Sequence, residues 1–375
     1  MIHLLVVKNP LLHQIGLTLI NGIGDINAKG LLAYFGSAEE VFKQKKSILL
    51  KVPGIGETLA KSIVSSNGIL KRAEQEIKFI EKYNIQPLFF GNPDYPRRLK
   101  HCSDSPIMLY YKGNADLNAD KIVAIVGTRR PSEYGKEKTK EIVAELKAHN
   151  PIILSGLAYG VDVLAHKTAL DNDLLTVGVL GHGLDRIYPQ SHDKIAKRML
   201  KQGGLLTDFM SETNPDAVNF PKRNRIVAGL CDALVMIESK RTGGSLITAT
   251  IANSYNKDVF AIPGRAGDEL AEGGNGLIKR NKAALIENVE DLLDAMQWQK
   301  QEAKKEKPTQ IPLMLDLSED ERKIIQRLSE VPSQHLDELC AAVQMPVSKI
   351  SALLLQLEFS NLVKSKPGKI FALNN

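Results

Sequence analysis

Short runs of apolar, often β-branched residues alternate with helical stretches through the middle of the chain, from about residue 86 to 298. Continuous apolar runs of this length indicate strands that are buried on both faces. The stretches at 134–149 and 161–171 have the pattern of crossover helices. The alternation predicts an α/β fold with a parallel sheet. Its strands are predicted at 121–127, 151–156, 174–181, 203–208, 232–238 and 258–264.

The first 85 residues have a helical pattern with an internal repeat. A Gly-Ile-Gly turn occurs at 22–24 and again at 54–56, and helical patterns follow each turn at 25–35 and 57–66. This arrangement is typical of a helix-hairpin-helix, SAM-like domain. The glycines of such hairpins let backbone N–H groups contact a DNA phosphate, but the same hairpins also serve as plain packing units. Both interpretations stay open for this region.

The C-terminal region has the pattern of a winged helix. Ser318 and Glu321 form a capping box before the first of three helical patterns, and two short strands surround Pro367 and Gly368. The third helix offers only Lys349 as a cation, which favours protein contact over sequence-specific reading of a DNA groove. Three lysines of the wing remain candidates for phosphate contact, namely Lys364, Lys366 and Lys369.

A charged stretch without an apolar face, residues 299–310, separates this region from the sheet and is predicted to be a linker. The predicted domains are therefore a helical domain at 1–85, a sheet domain at 86–298, a linker at 299–312 and a winged helix at 313–375.

Composition narrows the class of protein without deciding its partner. The chain has 375 residues, 43% hydrophobic residues and a formal net charge of +6, which permits a nucleic-acid partner but does not require one. Three widely spaced cysteines form neither a metal motif nor a disulfide framework, as expected in a reducing cytoplasm. No run approaches the length of about 20 apolar residues that a membrane span needs. We expect a cytoplasmic protein without a metal, a cofactor or a membrane segment.

Glycine and small polar residues follow several of the predicted strands. The first strand leads into Gly127, Thr128 and Arg129, the second ends in Ser155 and Gly156, and a later turn contains Gly243, Gly244 and Ser245. In an open parallel sheet, ligands bind beyond the carboxyl ends of the strands. Glycine after a strand is also ordinary turn chemistry, but Arg129, Arg241 and Arg265, which lie beside three turns at strand ends, favour a phosphate-binding face.

The heptad at 219–225, NFPKRNR, places three cations at a predicted helix start. The positive end of a helix dipole repels cations, so an anion such as phosphate is a natural neighbour. The alternative is a solvated basic turn at a helix start, and the heptad alone does not decide between the two. Helix geometry puts Lys222 and Arg225 on one face, where we expect them to contact one phosphate track. Arg223 points about 100° away, toward a neighbouring phosphate or a structural partner. The aromatic residue of the heptad is a candidate for base stacking or for the core, and its candidate binding residues are Phe220, Lys222, Arg223, Asn224 and Arg225.

Catalytic and nucleotide-binding signatures are weak or absent. No G-x-G-x-x-G opens a helix after the first strand, and no G-x-x-x-x-G-K-[ST] occurs. Asp162 and His166 are four residues apart on one helix face, but a hydrogen bond on the helix surface is the favoured interpretation over acid–base chemistry. His182 lies in a Gly-His-Gly turn, where a backbone role and a chemical role are equally open. We therefore predict a binding protein and no catalytic residue.

The middle region resembles the DNA-processing protein A family, also called DprA or Smf. The matching stretches are 122–135, 153–166, 177–189, 219–230, 242–252, 259–264 and 273–278. They occur in family order and cover most of the sheet domain. Thr128 stands where serine is common, and Thr242-Gly243 stands where Ser-Gly is usual.

This resemblance implies an extended Rossmann-like fold that binds single-stranded DNA. It also implies a homodimer that protects incoming DNA and loads the recombinase RecA in natural transformation, without established catalytic activity. Mapped onto this chain, the phosphate-binding turn falls at 127–129, the basic rim on Lys222, Arg223 and Arg225, and a second glycine turn at 243–245.

Two other functions remain in view. The turn at 242–245 is similar to the glycine turn of phosphoribohydrolases that cleave nucleoside monophosphates, but the glutamate those enzymes need is missing from 246–252. A regulator specific for double-stranded DNA, acting through the helical hairpins and the winged helix, is the third hypothesis.

Overall fold

The computed structural model describes residues 10–65, 68–298, 317–331, 333–360, 362–366 and 369–373. The chain divides into two compact units, residues 1–299 and residues 300–375. The predicted linker at 299–312 lies outside the described residues.

The helical part of the first unit precedes its sheet. It consists of α1 (Pro10–Leu19), α2 (Asp25–Phe35), α3 (Ala38–Phe42), α4 (Lys46–Leu49), α5 (Glu57–Val64) and α6 (Ile69–Tyr83).

Strands and helices then alternate. They are β1 (Gln86–Phe89), α7 (Arg97–Lys100), β2 (Met108–Gly113), β3 (Ile122–Val126), α8 (Glu133–Glu145), β4 (Ile152–Ser155), α9 (Val161–Asp171), β5 (Thr176–Val179), α10 (Asp193–Met199), β6 (Gly203–Thr207), α11 (Asn219–Leu230), β7 (Ala233–Met236), α12 (Gly244–Ser254), β8 (Asp258–Ala261), α13 (Glu272–Lys279), β9 (Ala284–Leu285) and α14 (Val289–Ala295).

Within the described part of the chain, nine strands form one mixed sheet in the order β1-β2-β6-β5-β4-β3-β7-β8-β9. Strand β2 pairs antiparallel with both β1 and β6, and the other pairs are parallel. The six strands predicted from the sequence all lie in this sheet, so the predicted α/β fold is confirmed. The antiparallel strands β1 and β2 and the short β9 were not predicted.

The central strand β3 explains why its sequence is apolar throughout. Its even-numbered residues Ile122, Ala124 and Val126 pack into the core on one face of the sheet. Its odd-numbered residues Val123 and Ile125 pack into the core on the other face. Because successive side chains of a strand point to opposite faces, a strand covered by helices on both sides needs an apolar residue at every position.

The two repeated turns form the hairpins of a helix-hairpin-helix domain, as the sequence predicted. Gly22 and Gly54 both have φ of +83°, in the left-handed region that favours glycine. Met108 and Tyr110 of β2 are part of the hydrophobic core of this domain. Residues of β2 on the opposite side, Leu109 among them, pack into the core of the sheet. The strand that the sequence did not predict therefore joins the helical domain to the sheet.

The second unit has the winged-helix fold that was predicted. It contains α15 (Glu319–Glu330), β10 (Gln334–His335), α16 (Leu336–Val343), α17 (Val347–Phe359), β11 (Val363–Lys366) and β12 (Ile370–Leu373). Its described strands form a sheet in the order β10-β12-β11. The capping box between Ser318 and Glu321 is present, and Lys349 pairs with Asp320 at 2.5 Å. The predicted turn at Pro367 and Gly368 lies outside the described residues.

Among the described helices, none is by itself long and apolar enough to span a membrane, and one pair, α16 and α17, bent by 107°, passes that test on length and composition alone.

The predicted hydrogen bond between Asp162 and His166 does not form. His166 is fully buried, and its Nδ1 lies 2.7 Å from the hydroxyl oxygen of Thr176. The hydroxyl of Thr176 donates to the carbonyl of Ile153 at 2.8 Å, so His166 Nδ1 must carry the proton in this contact. Burial lowers the pKa of His166 from its usual 6.5 to about 3, because charging a buried imidazole is costly. The ring is therefore a neutral part of the core.

This buried ring predicts a pH dependence of stability. Below pH of about 6.5 the unfolded chain protonates His166, whereas the folded chain does not until the pH approaches 3. The free energy of unfolding should therefore fall in this window by up to about 1.4 kcal/mol per pH unit. In His166→Asn, which keeps a donor near Thr176 but does not titrate, the slope should be shallower. Urea unfolding between neutral and mildly acidic pH measures it, with the single tryptophan, Trp298, reporting on the first unit. Equal slopes for parent and variant would contradict this assignment.

Candidate functional site

The sheet topology places a cleft at the carboxyl ends of the central strands of the first unit. The chain moves outward from β3 through β4, β5 and β6, and then returns through α11 to place β7 on the other side of β3. Ligands of open α/β sheets bind where the strand order reverses in this way. A cleft of about 660 Å³ lies there, beyond the carboxyl ends of β3, β4 and β7. We call it the central cleft.

Ten of the thirteen binding residues predicted from the sequence line the central cleft. These residues are Gly127, Thr128, Arg129, Gly156, Phe220, Arg223, Asn224, Gly243, Gly244 and Ser245. The other three, Ser155, Lys222 and Arg225, do not line it.

The loop after β3 is held in place by Glu238, two residues after the end of β7. The backbone N–H of Thr128 donates to the carbonyl of Glu238 at 2.8 Å. The carboxylate of Glu238 accepts the backbone N–H of Ser132 at 2.9 Å and the Ser132 hydroxyl at 2.5 Å. Ser132 in turn caps α8 by accepting the N–H of Gly135. These bonds fix the loop from which Arg129 extends.

An arginine and two aromatic rings meet at the mouth of the cleft. The guanidinium carbon of Arg129 lies 6.0 Å from the centre of the Phe220 ring, at the outer limit of cation–π contact. The rings of Phe220 and Tyr188 are 6.0 Å apart and inclined by 34°. Phe220 is half-buried, whereas Tyr188 is 49% exposed. Phe220 is therefore a lining residue of the cleft and not a fully buried core residue.

The N-terminus of α12 opens onto the same cleft. Gly243 precedes the helix without a side-chain cap, so the first backbone N–H groups lack the partner that a capping side chain supplies. A Cβ added to Gly244 would meet no atom within 4 Å, so this glycine borders open space. The hydroxyl of Ser245 donates to the hydroxyl of Ser239 at 2.9 Å. The helix end thus presents backbone donors and a positive dipole end to the cleft.

Arg223 is a buried arginine whose hydrogen bonds stabilise the wall of the cleft. It is 5% exposed, and its Nη1 donates to the carbonyls of Gly156, at 2.6 Å, and Val179. Burial lowers the pKa of its guanidinium, and the nearby carboxylate of Asp162 opposes this effect. Any side chain at position 156 would overlap the guanidinium. Gly156 is therefore required by packing against Arg223.

The structure changes the expectation for Ser155 and Arg225. The Ser155 hydroxyl is fully buried and donates to the carbonyl of Ile125 at 2.6 Å. Arg225 Nη2 pairs with Asp25 at 2.9 Å and with Asp208 at 3.0 Å. Because Asp25 begins α2, this pair joins the helical domain to the sheet. Both polar groups are already bonded within the protein, so neither is available for the predicted phosphate contact in this conformation.

Lys222 keeps its charge at the surface. Its side chain is exposed, and no described residue forms an ion pair with it. It follows Pro221, which lines the cleft, and it therefore lies beside the mouth. Of the two residues that were predicted to contact one phosphate track, Lys222 and Arg225, only Lys222 has a free charge.

Several residues of the site were missed by sequence reasoning. Tyr188 and Thr248 line the cleft. Asp162, which the sequence suggested only as a partner of His166, lines it as well with 9% exposure. Tyr188 stood inside a recognised family stretch but in a loop without periodicity. The role of Glu238 depends on a bond to a residue 106 positions away, and no local pattern indicates such a bond.

Among the described residues, no group of three or more His, Cys, Asp or Glu side chains is placed to hold a metal ion. The cleft offers hydroxyls, backbone N–H groups, cations and aromatic faces instead. Such groups bind phosphates and bases by hydrogen bonding and stacking.

Comparison with family models divides the chain much as the fold does. A model described as DNA recombination-mediator protein A matches residues 86–297. A DprA winged helix domain model matches residues 306–369, and a SAM-like helix-hairpin-helix tandem model matches residues 15–66.

Individual proteins show the same similarity. Protein Smf of Synechocystis is 31% identical over 383 residues, which cover 93% of this chain and 95% of that protein. The DNA processing protein DprA of Streptococcus pneumoniae is 34% identical and covers 68% of this chain and 96% of that protein.

Two solved structures are similar as well. The crystal structure of the Streptococcus pneumoniae DprA superposes with a TM-score of 0.63 at 28% identity, covering 77% of this chain and 98% of that one. A structure of Helicobacter pylori DNA processing protein A, which concerns its single-stranded DNA binding mode, has a TM-score of 0.52 at 29% identity and covers 57% and 96% of the two chains.

The two hydrogen bonds between Glu238 and Ser132, which we call the clamp, lead to a testable prediction. Glu238→Gln keeps the side-chain shape but replaces one acceptor oxygen with a donor, so one of the two bonds from Ser132 is lost. We expect a loss of about 1–3 kcal/mol in stability and faster hydrogen exchange across residues 127–135. Mass spectrometry of exchanged peptides measures the latter. Glu137→Gln, at an exposed position of α8, is the matched control. Unchanged exchange in Glu238→Gln would contradict the role of the clamp.

Proposed function

Because the chain belongs to the DNA recombination-mediator protein A family, we propose that it binds single-stranded DNA in the central cleft. We further propose that it protects incoming strands and loads RecA onto them during natural transformation, acting as a homodimer. The RecA and homodimer parts of this proposal rest on family membership alone. The DNA-binding part is also supported by the residues of the cleft.

The observation that carries the DNA-binding proposal is the meeting of Arg129, Phe220 and the uncapped N-terminus of α12 at one cleft. Single-strand binders combine a cationic groove that follows the phosphates with aromatic faces on which bases stack. Here Arg129 and the helix N-terminus supply the first of these, and Phe220 with Tyr188 supplies the second. Lys222 adds an exposed cation beside the mouth.

The phosphate contacts are assigned to groups that have no stronger partner within the protein. The backbone N–H groups of Gly244 and Ser245 sit at the positive end of the α12 dipole. The guanidinium of Arg129 is exposed and presents a planar fork of donors suited to phosphate oxygens. Arg225 is excluded from this set because two carboxylates already neutralise it.

Binding without catalysis fits the chemistry of the cleft. Asp162 and His166 do not form an acid–base pair, since His166 contacts Thr176 instead. The first turns of α12 after Ser245, residues 246–252, carry no carboxylate, whereas a phosphoribohydrolase would need a glutamate there. Release of free base from a nucleoside monophosphate by the purified protein would overturn this assignment.

The first prediction from this function concerns the phosphate contacts. Arg129→Ala and Lys222→Ala should each weaken binding of oligothymidylate and reduce the slope of log affinity against log salt by about 0.7. The reason is that each phosphate contact that is lost reduces the number of counterions released when the strand binds. Fluorescence anisotropy over a series of salt concentrations measures both quantities. Lys78→Ala, an exposed lysine of α6, should leave both unchanged. Parent-like binding by both cleft variants would reject the site.

The second prediction separates stacking from charge. Phe220→Leu retains an apolar side chain but removes the aromatic face, so strand affinity should fall by about five- to a hundredfold. The salt slope should stay at the parent value, because no phosphate contact is lost. The same anisotropy titrations measure this, with Phe220→Tyr expected to bind like the parent. A changed slope with unchanged affinity would contradict the stacking role.

A further inference from the structure

Part of the lining of the central cleft is a loop that is also bonded to the helical domain. The loop runs from Asp208 to Val218, between β6 and α11, and its residues Pro215 and Ala217 line the cleft. It leads directly into α11, which carries Phe220. We call residues 208–218 the wall loop. Connecting loops are more mobile than the elements they join, so the contacts of this loop decide whether the cleft keeps one shape.

One residue of the wall loop, Ser211, is bound at each of its polar groups by α6. Its backbone N–H donates to Oε1 of Glu76 at 3.0 Å, and its hydroxyl donates to Oε2 at 2.5 Å. Nη2 of Arg72 donates to the Ser211 carbonyl at 2.7 Å, and Nη1 pairs with Glu76 at 2.9 Å. Because Arg72 and Glu76 are four residues apart on one helix, they face the loop together. We call this set of bonds the Ser211 anchor.

The Ser211 anchor is shielded from water. Glu76 is 1% exposed and Ser211 is 8% exposed. A hydrogen bond to a charged group is stronger than one between neutral groups, and a buried carboxylate that loses its partners is costly. Met210, the preceding residue, packs against the core of the helical domain. The wall loop is therefore attached to that domain by a buried ion pair and by an apolar side chain.

Directly after the anchor, the loop takes a backbone conformation that needs support. Glu212 has φ of +68°, in the left-handed region that residues other than glycine rarely adopt. Its backbone N–H donates to Oδ1 of Asp185 at 3.0 Å, and the carbonyl of Thr213 accepts the N–H of Gly183 at 3.2 Å. The anchor and these bonds together fix the turn that brings Pro215 to the cleft.

The residues of the anchor do not themselves belong to the cleft. The structure describes every residue of α6, and none of them lines the central cleft, nor does Ser211. The phosphate and stacking contacts proposed above also include no group of the anchor. An effect of Glu76 on strand binding must therefore pass through the wall loop.

We propose that the helical domain is a positioning element of the single-strand site, in which Glu76 and Arg72 hold Ser211, and through it the wall loop, in the conformation that lines the cleft. This inference rests on the proposed single-strand binding and gives the helical domain a role that does not require its hairpins to touch DNA. A site that is in its binding conformation for only a fraction of the time binds more weakly by that fraction. Because such coupling is reciprocal, a strand bound in the cleft stabilises the anchor in turn.

Ser211→Ala tests this positioning role with little change in packing. It removes the hydroxyl bond to Glu76 and leaves the backbone bonds in place. We expect faster hydrogen exchange across residues 208–218 and an affinity for oligothymidylate that is about three- to tenfold lower. The slope of log affinity against log salt should stay at the parent value, because no phosphate contact is lost. Exchange mass spectrometry and anisotropy titrations measure these quantities.

Ser37→Ala is the matched control for a general loss of stability. The Ser37 hydroxyl caps α3 in the same helical domain by accepting the backbone N–H of Glu40 at 3.2 Å. The variant therefore also loses one hydroxyl hydrogen bond, at a cost of about 1 kcal/mol. It should bind oligothymidylate like the parent and leave exchange across 208–218 unchanged. An equal loss of affinity in both serine variants would show general destabilisation and overturn the proposal.

Two measurements test the same link from the side of the helical domain. Glu76→Gln has one acceptor oxygen in place of two, so it should reproduce the exchange and affinity changes of Ser211→Ala. Unfolding followed by Trp298 fluorescence checks that it is folded, and Ser211→Ala carries the test if it is not. In the parent, bound oligothymidylate should slow exchange in α6 as well as in the wall loop, and Ser211→Ala should lose the protection of α6.

The outcomes separate this inference from the function on which it rests. If the parent protein binds no single strand, the proposed function fails and the positioning role fails with it. If the parent binds, single-strand binding stands, and any of three results overturns the positioning role. These are parent-like affinity of folded Ser211→Ala, a lowered salt slope in that variant, and unchanged exchange of α6 when the strand binds the parent.

Discussion

The guanidinium of Arg223 fixes the geometry on which the cleft depends. Its Nη1 joins the carbonyl that follows β4, on Gly156, to the carbonyl at the end of β5, on Val179. A buried cation is stable only where hydrogen bonds and nearby negative charge replace water, and here two carbonyls and the neighbouring Asp162 do so. Because Arg223 belongs to α11, these bonds also set the position of Phe220 and Asn224, which lie within one turn of it.

The basic heptad illustrates which part of a site can be predicted from a sequence. Helix geometry correctly separated Arg223 from Lys222, because side-chain direction along a helix is a local property. The partners of Arg225 were not predictable in this way. Asp25 is 200 residues away in the chain and in a different domain, so only the packing of α2 against the sheet brings the two together. The local helical pattern therefore predicted the directions in which the cations point, but not the groups that they contact.

The same distinction applies to the fold. Strands such as β3 and β7 were predicted because burial on both faces leaves a continuous apolar run in the sequence. Strand β2 was missed, although Met108, Leu109, Tyr110 and Tyr111 form a buried apolar run and the strand connects the helical domain to the sheet. The structure describes all residues between β2 and β3 and shows no helix there, and β2 runs antiparallel to both of its neighbours. The alternation of strands and helices by which the parallel strands were predicted therefore does not include β2.

Glycine at the ends of strands also has more than one physical cause in this protein. Gly156 is needed because the Arg223 guanidinium occupies the space of a side chain, whereas Gly244 borders open space at the start of α12. The sequence treats the two alike, since both follow a strand and precede a helix. Only Gly244 leaves the backbone open to a ligand. The phosphate-binding character of the cleft therefore depends on the turn at 243–245 and on Arg129, and the glycine after β4 serves the arginine that holds the cleft open.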